Sequence, residues 1–208
     1  MNYWTVLSFL GDSALMLPSA LLITLWLSVR HETRPLAWRW ALAIGLGGGL
    51  VAASKIAFMG WGIGSASLDF TGFRGHTALA TAIWPVLLWL LASRWHPGLR
   101  WLLVAAGWML GVAIGMSRLV LDAHSLAEVV FGFALGFSVS AYFLWFRQPA
   151  ARPHVQSTMW IAVLVLPALL VWRAPAPTQD FLELLAMRLA GIPAPYTRDD
   201  LHEAHTKS

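Results

Sequence analysis

The chain has 208 residues, of which 58% are hydrophobic and 12% charged, with a net charge of +4 and no cysteine. That composition belongs to a membrane protein, and the missing thiols exclude disulfides, thiolate zinc sites and cysteine nucleophiles. The positive charge comes from arginines set between hydrophobic blocks and reads as a topology signal, so a nucleic-acid partner has no support.

A helix that crosses the hydrocarbon core needs roughly 20 mostly apolar residues, and five stretches come near that: residues 7–29, 36–58, 76–93, 101–117 and 125–147. Blocks such as 102–115 are apolar around their whole circumference, as lipid-embedded helices are. The first block follows Met1-Asn2-Tyr3-Trp4 without a basic leader or a clear small-residue cleavage site, so it is expected to be retained. A sixth stretch, about 155–172, is the shortest and contains Pro167. The expected fold is therefore an all-α polytopic membrane bundle of about six transmembrane helices over residues 1–173, followed by a tail over 174–208.

In that tail, Ala174-Pro175-Ala176-Pro177 stops the last span. Thr178 caps a short amphipathic helix that turns Phe181, Leu182, Leu185 and Leu189 inward and ends at Gly191, and the polar residues 196–208 are expected to be disordered. Arg30, Arg34, Arg39, Arg94, Arg100, Arg147 and Arg152 all fall in the first, third and fifth connections, which places those loops in the cytoplasm. Trp38, Trp95, Trp101, Trp145 and Trp172 lie near helix ends and read as headgroup anchors.

Ionisable residues at the opposite helix ends carry the chemistry, because such groups are costly in a membrane unless they pair or serve a pathway. Lys55 closes the second span, Arg74-Gly75-His76 opens the third, Ser117-Arg118 closes the fourth, and His124 with Glu128 opens the fifth. His124 and Glu128 are four residues apart, so on a helix the carboxylate can orient the imidazole as a nucleophile or base requires. The alternative is that Glu128 only complements the helix dipole.

Residues 117–128 read Ser-Arg, five residues, His, three residues, an acid. This resembles the third signature of the type-2 phosphatidic acid phosphatase superfamily, with Glu128 where Asp is usual. Phe73-Arg74-Gly75-His76-Thr77 resembles the second signature, usually Pro-Ser-Gly-His, and Lys55 stands where the lysine of the first would be. The resemblance implies that His124 attacks phosphorus to form a phosphohistidine and that His76 protonates the leaving oxygen. It implies a phosphate cradle of Lys55, Arg118 with Ser117, and the backbone around Gly75. A phosphoryl transition state spreads charge over its equatorial oxygens, which fixed cations and amides stabilise. No carboxylate cluster suited to magnesium lies near, so neither metal nor other cofactor is expected.

Two positions depart from the pattern. Seven residues after Lys55, where the family has Arg-Pro, stand Gly62 and Ile63, and the serine of the second signature is replaced by Arg74. Arg74 is expected to return the missing guanidinium from the same loop, the alternative being that it faces lipid headgroups. Asp12 is placed to hold Lys55 or to act as an ordinary cap. Asp69, Asp122, His31, His96, His154, His202 and His205 read as solvated.

The expected function is hydrolysis of a terminal phosphate from a membrane lipid phosphate or diphosphate, of the undecaprenyl diphosphate, phosphatidylglycerol phosphate or phosphatidic acid type. The site would face the periplasm across a bacterial inner membrane. Transfer of the phosphoryl group to a second lipid, or lipid-phosphate binding or transport without turnover, are the alternatives.

Overall fold

A computed structural model of the chain describes residues 3–121, 125–146 and 178–206. The described residues are all-α apart from an isolated bridge between Ser65 and Phe70. The expected first span is two helices, α1 (Tyr3–Phe9) and α2 (Ser13–Val29). The break has a packing cause: a Cβ on Gly11 would come within 2.6 Å of Ile114 Cγ2. Trp84 Nε1 donates to the Leu10 carbonyl at 3.0 Å, and Asp12 caps α2 by accepting from the Ala14 amide at 2.8 Å.

A 3-10 turn over His31–Thr33 leads into α3 (Arg34–Trp61), which runs beyond its expected end and stops at Gly62 in the left-handed conformation, φ +68. Glycine adopts that cap without a Cβ clash. α4 (Gly75–Leu91), α5 (Pro97–Val120) and α6 (Leu126–Trp145) follow. The segments Tyr3–Val29, His31–Trp61, Pro97–Val120 and Leu126–Trp145 are long and apolar enough to cross a membrane. The expected sixth span at about 155–172, with Trp172, lies outside the described residues.

α4 is the axis of the bundle. Its 17 residues extend about 26 Å at about 1.5 Å per residue, a little short of the hydrocarbon thickness, and most of its side chains are buried by α2, α3, α5 and α6. A helix clad in protein need not match the lipid by itself. Close approach comes from glycines at four-residue spacing, Gly107, Gly111 and Gly115 on α5 and Gly132 and Gly136 on α6, all facing α4. A Cβ on Gly107 would lie 2.6 Å from the Pro85 backbone, and one on Gly136 would collide with the Ala78 carbonyl. Such small-residue stripes let helices gain dispersion contacts where lipid supplies no hydrophobic drive. Trp40, wholly buried, donates to the Ala20 carbonyl at 3.1 Å and meets Phe143 edge-on, joining α2, α3 and α6 at the far end.

The tail departs from expectation in two ways. α7 (Thr178–Ala190) packs on the end of α3 through Ala186 and Leu182, beside Phe58 and Met59, while Phe181 and Leu189 are exposed rather than inward. Docking on α3 takes the face of Leu182 and Ala186 and leaves Phe181 and Leu189 on another, two apolar faces that a single-stripe reading does not separate. Residues 198–206 form a helix, α8 (Arg198–Thr206), where disorder was expected. Its start is fixed by a reciprocal cap in which Thr197 N donates to Asp200 at 2.8 Å and Asp200 N to Thr197 Oγ1 at 3.4 Å. The Thr197 hydroxyl, which donates to the Asp200 carboxylate at 2.7 Å, and the Thr197 amide hold that carboxyl below its usual range. The Tyr196 amide donates to the Met59 carbonyl at 2.8 Å and ties this segment to α3.

Gly111→Val is expected to destabilise the detergent-solubilised protein by about 1–3 kcal/mol through overpacking against Thr81. Gly45→Ala, with nothing within 4 Å of its Cβ, should be neutral or stabilising by up to about 1 kcal/mol. Thermal unfolding of both variants checks this.

Candidate active site

The ends of α3 and α5 and the starts of α2, α4 and α6 meet at one end of the bundle, and the loop 62–74 folds over them. Gly72, at φ +136, lets that loop lie against Ser54 and Lys55, and the Phe73 amide donates to Ser54 Oγ at 3.0 Å. Phe70, Phe73 and Phe131 pack edge to face and fix the loop on α6.

Glu128 organises the charges. It is wholly buried and occupies the third position of a capping box on Ser125: the Ser125 amide donates to Oε2 at 3.1 Å, and the Glu128 amide to Ser125 Oγ at 3.3 Å. That position turns the carboxylate back over the helix start, where Oε1 accepts from the Thr71 amide at 3.0 Å and its hydroxyl at 2.5 Å. Oε2 accepts from Arg74 Nε at 2.7 Å and from a terminal guanidinium nitrogen of Arg198 at 2.9 Å. His124, the expected partner of Glu128 and the expected nucleophile, lies outside the described residues, as does Asp122.

Arg74 is therefore bound to Glu128 and, at 3.3 Å, to the Thr71 hydroxyl; it does not face the lipid. It lies within electrostatic reach of both Lys55 and Arg118. Arg118 donates to Ser8 Oγ on α1 at 2.8 Å. His76, in the first turn of α4, places Nε2 3.4 Å from Asp12 Oδ2, so Asp12 steadies the histidine rather than Lys55. Gly75 begins α4, whose first-turn amides face the same region. Lys55 Nζ donates to Gln179 Oε1 of α7 at 2.9 Å.

Ser117 corrects the expectation for its own role: its hydroxyl is wholly buried and donates to the Ile114 carbonyl at 2.6 Å. It closes a turn of α5 and does not point into the site. Asp69 and His202 also differ from their reading as solvated, since Asp69 binds Arg198 at 2.6 Å and His202 Nε2 at 3.0 Å. Asp12 as the partner of His76, Thr71, Arg198 and Gln179 were not read from sequence. The Ser125-to-Glu128 capping spacing was a legible signal for Glu128; nothing local marks the partners that arrive from the C-terminal segment.

Two cavities open beside these groups. One, of about 290 Å³, runs between α2, α3, α4 and α6 under α7; its lining is apolar except near Lys55, His76 and Gln179. The other, of about 240 Å³, is bounded by the end of α3, the 71–74 loop and the C-terminal segment, and Lys55, Arg74 and Arg198 line it. Lys55 and Gln179 border both.

Residues 74–152 match the family model described as PAP2 superfamily. The chain is also 44% identical over 204 residues to an uncharacterized 22.5 kDa protein in the cps region of Klebsiella pneumoniae, a match that covers 96% of this chain and 98% of that protein. The chain belongs to the PAP2 superfamily. Membership supports phosphatase activity, which in the PAP2 superfamily is typically directed at lipid phosphates. No solved structure matches the chain significantly.

Removing the buried carboxylate leaves Arg74 without its counter-ion. Glu128→Ala is expected to lower stability by about 3–5 kcal/mol, whereas Ser117→Ala should cost about 1 kcal/mol and leave activity near wild type. Unfolding in detergent together with an activity assay separates the two.

Proposed function

We propose that the protein is an integral membrane lipid phosphatase that removes a terminal phosphate from a lipid phosphate or diphosphate. The observation that carries this reading is the meeting, at Lys55, of an apolar groove and a cation-lined cavity. A substrate with a long hydrocarbon tail and an anionic head needs both environments side by side. The groove lies among the spans, so a tail reaches it from the bilayer while the head stays at the helix ends.

The chemistry follows from the residues of the site and the family. His124 attacks phosphorus, and a P–N bond forms as the bond to the leaving oxygen breaks. His76, steadied by Asp12 at 3.4 Å, delivers its proton to that oxygen. Water then cleaves the phosphohistidine and releases inorganic phosphate. Arg118, Lys55 and the amides at the start of α4 stabilise the equatorial charge. Arg74 and Glu128 act as a pair that fixes the loop bearing Gly75. None of these steps calls for a metal ion.

Arg30, Arg34, Arg39 and Arg100 stand at the end of the bundle opposite the site. By the positive-inside rule that end is cytoplasmic, which turns the site to the periplasm of a bacterial inner membrane.

Purified protein is expected to release phosphate from a lipid phosphate with chelator present, and His124→Ala to abolish release. Activity indifferent to His124 refutes the mechanism, and label that appears in a second lipid replaces hydrolysis by transfer. The groove has its own test. Gly48 lines it, with nothing within 4 Å of its Cβ, so Gly48→Leu should raise KM for a long-chain substrate by about tenfold, equivalent to about 1.4 kcal/mol, and leave a short-chain analogue unaffected.

A further inference from the structure

Arg198 belongs to the C-terminal segment, outside the stretch matched by the family model, yet it reaches the centre of the charge network. One terminal nitrogen donates to Asp69 at 2.6 Å and the other to Glu128 at 2.9 Å. The route is built by the neighbouring residues. Tyr196 is anchored to Met59 through its amide, and its ring packs against Gly62, 3.4 Å from where a Cβ would stand. Tyr196 thus packs over the left-handed turn at Gly62 that ends α3, and the chain reaches Arg198 two residues later.

The cavity below has donors to offer. A guanidinium carries five N–H groups and an ammonium three. The bonds to Asp69 and Glu128 engage two of those on Arg198, the bonds of Arg74 leave one terminal nitrogen over, and Lys55 uses one N–H on Gln179. Glu183 is the acid on the cavity wall, and the Gln179 amide holds it at 2.9 Å. Glu128 and Asp69 pair with Arg74 and Arg198 from behind the wall, and the N–H donors left over on Arg74, Arg198 and Lys55 make a receptor for an anionic group.

We infer that this cavity is a second phosphate subsite and that Arg198 is its specificity-determining residue, selecting a head that carries a diphosphate over one that carries a single phosphate. The inference rests on the lipid phosphatase reading for its substrate, but the subsite would bind a free diphosphate by the same chemistry. In a lipid diphosphate, one phosphate occupies the reacting position near His76 and the other lies between Lys55, Arg74 and Arg198. A monophosphate leaves the second place to water.

The test has two arms on the full-length protein in detergent. In the first, calorimetry measures the binding of inorganic pyrophosphate and orthophosphate. Wild type should bind pyrophosphate about tenfold more tightly, a difference that Arg198→Gln reduces to about twofold and that Arg198→Lys, which keeps the charge without the fork, partly restores. A preference that is absent in wild type, or that is unchanged by Arg198→Gln, overturns the inference. Should the glutamine variant not fold, Arg198→Lys carries the arm: the preference should fall by about threefold, and an unchanged one overturns the inference.

The second arm compares a lipid diphosphate and a lipid monophosphate with the same tail. Arg198→Gln should raise KM for the diphosphate by about tenfold while kcat and the monophosphate KM change little. Equal losses of kcat on both substrates indicate a structural role and contradict selection. Wild-type protein that binds pyrophosphate selectively but hydrolyses neither lipid would refute the phosphatase reading and leave the subsite standing.

Discussion

The Glu128 carboxylate has no exposure to solvent and sits at the start of a membrane helix, so its charge must be met by groups inside the protein. Its partners come from three separate parts of the chain: Ser125 beside it, Thr71 and Arg74 in the loop before α4, and Arg198 near the C-terminus. The bonds to Thr71, Arg74 and Arg198 therefore also close long stretches of chain. The loop that presents Gly75 and His76 is held against α6 by an ion pair, and the C-terminal segment is held over that loop by a second.

This constraint orders the rest of the site. With the loop fixed, α4 begins at Gly75 and points its first-turn amides and His76 toward the ends of α3 and α5, where Lys55 and Arg118 stand. Asp12 reaches His76 because α1 and α2 break at Gly11. The glycine stripes that draw α5 and α6 onto α4 bring these helix ends together. α7 lies over the apolar groove and meets α2 through Ser13 and Thr178, whose hydroxyls are 3.2 Å apart. Gln179 then links Lys55 to Glu183 at the junction of the two cavities.

Much of the scaffold was legible in the sequence because it follows from local composition. Apolar length gave four segments that are long enough to cross a membrane, and the spacing from Ser117 to Glu128 pointed to the family. Lys55, His76, Arg118 and Glu128 do lie at one end of the bundle. What escaped depends on tertiary contact. The break at Gly11 answers to Ile114, about a hundred residues away. The order of 198–206 answers to a cap and to anchoring on Met59, which polar composition does not reveal. Arg74, read as a cation returned to the phosphate cradle, also holds Glu128, a partnership that no local pattern announces. Arg198, in a stretch dismissed as a tail, shares that partner.

The central claim is that a lipid phosphate lies with its tail in the groove between α2, α3, α4 and α6 and its head at Lys55. A lipid phosphate with a photoreactive group at the end of its tail tests it most directly, the cross-linked residues being mapped by mass spectrometry on protein in nanodiscs. The account predicts adducts on groove residues such as Gly48, Leu135 and Val139, suppressed by excess unlabelled lipid phosphate. Adducts confined to the exposed face of α3 at Leu42 and Leu46, with no competition by that lipid, would contradict it.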